Sequence, residues 1–240
     1  MAKLIGIARN KHNGKDTAAC MLNYIIQKGT KARYEDWYTL YGRTGVMCDS
    51  KCVVHFADYP KYILSNIFNI DVDRFFNNQY KDILWYCFDT KIFIDDATVS
   101  KEKYFTILPI HLANEPLYIY YNHNNGKVCI KLRTLMQYFG TDVMRANLGP
   151  DVWVNVTMGI ANSLIKDYGH CIIPDVRFNN EAQAITCRLN GVIIKINREH
   201  EADNHPSENI DLKGINYIEV DNNGTLLNLF YKLIEVWRKI

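Results

Sequence analysis

The chain has 240 residues, 48% hydrophobic and 22% charged, enough apolar side chain for a core and too much for an intrinsically disordered segment. Its 28 basic and 26 acidic residues leave a net charge of +2, which argues against a dedicated duplex-DNA binder. No run approaches about 18 consecutive apolar residues, which argues against a membrane span, and the opening MAKLIGIARNKHNGK has the wrong order of apolar and basic residues for a secretory signal. The expectation is a cytoplasmic chain whose seven scattered cysteines are reduced thiols.

Residues 3–8 (KLIGIA) read as a strand buried on both faces. After a polar loop, Ala18, Leu22, Ile25 and Ile26 recur at helical spacing, with Gly29 as a stop. Residues 30–52 have no clean period and read as an insertion, followed by strand character at 51–57. Residues 59–68 predict a helix with Pro60 in its first turn, and 71–86 predict a second helix. Residues 92–98, 103–110, 117–121 and 127–132 are β-branched and aromatic, broken by turn clusters such as HNNG at 123–126; together, 88–130 read as an antiparallel, hairpin-rich insertion. Helices are expected at 135–144, bent at Gly140, and at 151–166, 181–189 and 226–240, with strands at 171–174, 192–197 and 217–220. This alternation predicts an α/β fold: one domain over 1–240, a central parallel sheet flanked by helices, with the two insertions and an irregular lid segment at 199–214.

The first loop carries chemistry. Arg9-Asn10-Lys11-His12-Asn13-Gly14-Lys15-Asp16-Thr17 lies between a buried strand and a helix, the context in which open backbone N–H groups form an anion nest. Gly14 would let the main chain approach phosphates, Lys15 would reach the β- and γ-phosphates, and Asp16 or Thr17 would hold Mg²⁺ directly or through water. The same residues also read as a polar helix cap, with Asp16 favourable at a helix N-terminus. Asp175 and Arg177 fall at the carboxyl end of a later strand, the edge where open parallel sheets place ligands. Cys48, Cys52 and His55 resemble a metal clip, but three ligands are too few for structural zinc.

Several motifs in fixed order make the chain recognisable: GKDT (14–17), FADYPK (56–61), RTLMQYFGTD (133–142), Trp153, PDVR (174–177) with Glu181, Gly191, Arg198, HPSE (205–208) and NGTL (223–226). It resembles the deoxynucleoside monophosphate kinases of tailed bacteriophages, a family of P-loop kinases. Arg9 stands where the family's loop has its first glycine. The resemblance implies transfer of the γ-phosphate of ATP to a deoxynucleoside monophosphate, with Mg²⁺ as cofactor. It assigns Lys11, Asn13, Gly14, Lys15, Asp16, Thr17, Arg188 and Arg198 to ATP. To the monophosphate it assigns Lys61, Arg133, Gln137, Gly140, Thr141, Asp142, Trp153, Asp175, Arg177 and Glu181. Lys15, Asp175 and Arg177 would be catalytic. The partners implied are ATP and the monophosphate, with a homodimer as a family expectation and neither duplex nucleic acid nor membrane. The alternatives are a P-loop kinase of another phosphorylated small molecule, or a nucleotide-binding protein without transfer activity.

Overall fold

A computed structural model of the protein describes residues 4–9, 14–42, 51–88, 92–95, 105–112, 115–122, 127–198 and 212–240. In chain order they form β1 (Leu4–Arg9), α1 (Lys15–Lys28), α2 (Tyr34–Trp37), α3 (Asp58–Phe68), α4 (Val72–Phe76), α5 (Asn78–Ile83), β2 (Leu84–Cys87), β3 (Ile92–Asp95), β4 (Phe105–Leu112), β5 (Glu115–Asn122) and β6 (Lys127–Lys131). Then follow α6 (Leu132–Gln137), a π-helical stretch (Tyr138–Arg145), α7 (Ala146–Leu148), α8 (Val152–Tyr168), β7 (Cys171–Val176), α9 (Asn179–Leu189), β8 (Val192–Asn197), β9 (Tyr217–Asp221) and α10 (Leu226–Trp237). Contacts divide the chain into two compact units: Met1–Phe56 with Val154–Ile240, and Ala57–Trp153. The sequence predicts one domain with an insertion at 88–130; the second compact unit begins some thirty residues before that insertion, because α3 and α4 share a core with β2, β6 and α6, and α5 packs beside β6 and α6.

The first unit is built on a sheet of order β7-β1-β8-β9, all parallel. Alternation along its strands explains why helices cover both faces. Ile5, Ile7, Ile172, Ile194 and Ile196 pack in one core with α1 and α10, whereas Leu4, Ala8, Cys171, Ile173 and Ile193 pack in another with α8 and α9. Strands buried on both faces read as continuous apolar runs, which is how 3–8 and 192–197 read in the sequence. This parallel sheet between helical layers is consistent with a P-loop kinase-like fold. Helix α1 ends at Gly29, whose positive φ of 58° closes the last turn. Of the strand expected at 51–57, only Val53 pairs, parallel to Ile172. Cys52 O accepts from Ile172 N–H and Ile172 O from Val54 N–H, after which the chain turns away.

The second unit holds an antiparallel sheet of order β3-β2-β6-β5-β4. All four hairpin strands expected from composition are present. The single helix expected over 71–86 is two short helices and a strand. Asp71 accepts from Asp73 N–H and Asn77 from Gln79 N–H, so each restarts a helix, and Trp85, Tyr86 and Cys87 pair between β3 and β6. In β2 and β6, Cys87 lies directly opposite Cys129, and the two sulfurs are bonded, so this pair departs from the reduced thiols expected of the sequence. Residues 123–126, Cys48 and all but the last three residues of the segment 199–214 lie outside the described residues.

Candidate active site

The carboxyl ends of β7, β1 and β8 lie level, with Ala8 beside Val176 and Lys195, and Asn197 beside Asp221 of β9. Every loop leaving this edge therefore emerges at one place in the first unit. Gly14 is the N-cap of α1, with φ 80° and ψ 29°, and as a glycine it brings no side chain of its own to cap the helix. A β-carbon added there would lie 3.0 Å from the side-chain nitrogen of the buried Asn222, which follows β9. Glycine thus serves the left-handed turn and the close approach, while the first N–H groups of α1 are left for an anion.

Lys15 is largely buried, and its Nζ lies 3.3 Å from Asp16 Oδ1. His55 Nε2 lies 3.4 Å from the same oxygen. Burial works against ionisation of Asp16, but the His55 hydrogen bond and the Lys15 charge outweigh it and hold its carboxyl below the usual range. An ionised carboxylate with the Thr17 hydroxyl one residue on is a hard oxygen donor set that fits Mg²⁺, which commonly takes one or two protein ligands beside nucleotide phosphates and water. Among the described residues, no group of three or more His, Cys, Asp or Glu gathers to hold a metal ion.

Asp175, at the end of β7, is buried and its Oδ1 accepts the Phe56 N–H at 3.0 Å. Arg177 follows and is exposed. Glu181 is buried, and its Oε2 accepts the N–H groups of Arg177 and Phe178 at 2.7 and 3.1 Å, so its carboxylate shapes the turn that carries Arg177. Arg198 directly follows β8 at the same edge. Arg188 is not brought there: it stands on the last turn of α9, by the amino end of β8, and bonds Asn155 Oδ1 at 2.6 Å. Lys11 and Asn13 lie outside the described residues, as does the side chain of Arg9.

In the second unit, Arg133, Gln137 and Thr141 recur every four residues as an exposed stripe, while Leu132 and Leu135 of the same segment enter the core. The π-helical stretch carries Gly140, Thr141 and Asp142, a widening of the turn that recurs at functional sites. Trp153 is buried rather than open for stacking. Its indole N–H donates to Gly140 O at 2.9 Å and its ring packs on Phe139, so it pins this stretch. Lys61 donates to Asp58 at 2.9 Å and lies over the Phe76 ring. Arg133 grips both oxygens of Asp82, which holds the Asp82 carboxyl below its usual range. Sequence reasoning missed Asp58, Asp82, His55 and Asn222 as site neighbours. The sequence signal for them is position alone: Asp58 lies inside the FADYPK motif, and His55 and Asn222 each directly precede a recognisable motif.

A family model of deoxynucleotide monophosphate kinases matches residues 58–233. The chain belongs to this kinase family. The deoxynucleotide monophosphate kinase transfers a phosphoryl group from ATP to a deoxynucleoside monophosphate. The matched span covers every residue that the resemblance assigns to the monophosphate, from Lys61 to Glu181, together with Arg198. The Gly14–Lys15 loop precedes the matched span. No curated protein matches the chain. Among the described residues no helix is long and apolar enough to cross a membrane.

Proposed function

We propose that the Gly14 loop is a phosphate-binding loop for ATP, and that Lys15 neutralises the donor phosphates during transfer to the deoxynucleoside monophosphate. The observation that carries this is the N-terminus of α1, opened by a left-handed Gly14 that brings no capping side chain of its own and followed by a lysine. An acceptor phosphate with a second pKa near ~6 is largely ionised at neutral pH, so no general base is needed. One of its oxygens attacks the γ-phosphorus as the bond to the β–γ bridging oxygen breaks, and ADP leaves with the electron pair. Positioning and charge neutralisation are then the protein's whole task.

In this reading, Asp16 or Thr17 would hold Mg²⁺ directly or through water, and the metal would supply charge neutralisation for the donor phosphates. Within the first unit, Arg198 serves ATP, while Arg177, with Asp175 and Glu181 fixing its surroundings, serves the phosphoryl group in transfer. Within the second unit, the Arg133–Gln137–Thr141 stripe, Asp142 and Lys61 take the monophosphate. Trp153 holds Gly140 in place. The resemblance further supports a bacteriophage-encoded enzyme acting in the host cytoplasm as a homodimer.

The test is transfer from γ-labelled ATP to a panel of deoxy- and ribonucleoside monophosphates, run on the wild type and on Lys15→Ala. Diphosphates should form from deoxynucleotides, and Lys15→Ala, with an unchanged melting temperature, should lose about a hundredfold or more in turnover. Near-normal turnover in the folded variant would remove the loop from the donor site.

A further inference from the structure

The short segment before α3 is tied to β7 more firmly than its lack of regular structure suggests. Cys52 O and Val54 N–H both bond Ile172, and Phe56 N–H bonds the buried Asp175. His55 lies between these anchors, so its backbone has little freedom, and its ring is 18% exposed. Its Nε2 meets Asp16 Oδ1, the oxygen that Lys15 Nζ also approaches.

That shared oxygen sets up a competition. Asp16 and Lys15 are adjacent on the chain and of opposite charge, so a carboxylate with no other donor would draw the ammonium into a closed ion pair. A lysine held this way is withdrawn from phosphates, and the carboxylate moves with it. A second donor from an anchored segment fixes the carboxylate independently of where the lysine goes. The neutral Nε2–H tautomer suffices, so the role needs no charge on the ring.

We propose that His55 is a positioning residue of the donor site: it holds the Asp16 carboxylate at the start of α1, freeing Lys15 for the nucleotide phosphates and keeping Asp16 in place for the metal. This rests on the phosphate-loop reading and adds to it a residue from outside the loop. Partners that orient a metal ligand commonly matter by one to two orders of magnitude in affinity.

The experiment measures ATP binding by titration calorimetry, with and without Mg²⁺, in the wild type, His55→Ala, His55→Gln, His55→Asn, Asp16→Asn and the His55→Ala/Asp16→Asn double variant. Melting temperatures are recorded on the same preparations. Affinity for ATP with Mg²⁺ should fall about tenfold in His55→Ala, with a smaller change when Mg²⁺ is absent. The longer amide of His55→Gln should restore most of it and the shorter His55→Asn should not, a comparison that stands if His55→Ala fails to fold. In the Asp16→Asn background, His55→Ala should add nothing. An unchanged affinity, a loss equal with and without Mg²⁺, or a loss that persists beside Asp16→Asn overturns the proposal. Lys15→Ala separates the two readings: if it too leaves ATP affinity untouched, the phosphate loop itself is wrong. If it weakens ATP while the His55 variants do not, only the positioning role falls.

Discussion

In the proposed site, Arg177 and Glu181 divide chemistry and scaffolding within one turn. Glu181 spends its Oε2 on two backbone N–H groups, and Arg177 hangs from the turn so formed. Arg177→Lys keeps the charge but loses the planar fork, so kcat/KM for the monophosphate should fall on the order of tenfold while ATP affinity and melting temperature stay put. A lower melting temperature with intact kinetics would show that the side chain is structural. Trp153 makes a matching case in the second unit, where the indole N–H is the handle on Gly140. Trp153→Phe keeps most of the buried ring and removes that hydrogen bond. We expect about 1 kcal/mol of lost stability, read by urea denaturation, and a raised KM for the monophosphate with ATP affinity unchanged.

At the scale of elements, β2 and β6 illustrate what pairing imposes. Cys87 and Cys129 are 42 residues apart in sequence and face each other across the ladder. This bonded pair removes two thiols, so titration of the unfolded, unreduced protein should fall at least two short of the seven cysteines in the sequence. Closing a loop of this size is worth about 3–4 kcal/mol in the chain-entropy account, so the paired Cys87→Ser and Cys129→Ser substitutions should lower unfolding stability by up to that amount. A count of seven would show the thiols free. Helix α10 owes its start to a local device: the Thr225 hydroxyl accepts from Asn228 N–H, and the exposed Asn228 amide answers to the Thr225 N–H.

For the molecule as a whole, acid sensitivity has a traceable source. His170, at the entry to β7, is buried and bonds Asn23 of α1 at 2.9 Å. Burial lowers its pKa from 6.5, against a weaker opposing hydrogen bond to the Tyr168 backbone. The unfolded chain therefore binds a proton near pH 6.5 that the folded chain refuses, and stability falls as pH drops below that value. Asp16 and Asp82, whose carboxyls are held below 3.8, withdraw their contributions only at still lower pH. Urea midpoints at about pH 7.5 and about pH 5.5 should differ in the wild type and differ less in His170→Gln. An equal difference in both would clear His170 of the effect.

The sequence alone determined what depends on short-range order. Short apolar runs rich in isoleucine and valine, such as CIIP and VIIKIN, read as strands covered on both faces. A glycine and a lysine between such a strand and a helix sit at the helix N-terminus wherever the helix packs. Because the strands are parallel, the residues that follow them share an edge, so the sequence alone gathers Lys15, Asp175 and Arg177. Tertiary structure decided what depends on partners distant in sequence. Residues 84–87 are a strand because β3 and β6 flank them. Trp153 is a peg because Gly140 lies beneath it, and Arg133 is paired because α5 brings Asp82 to it. His55 meets Asp16 at the start of α1, 39 residues away in the chain, because β7 holds its segment there. A local pattern records which way a side chain points from its own element; which atoms it meets is set by elements whose neighbours the pattern does not encode.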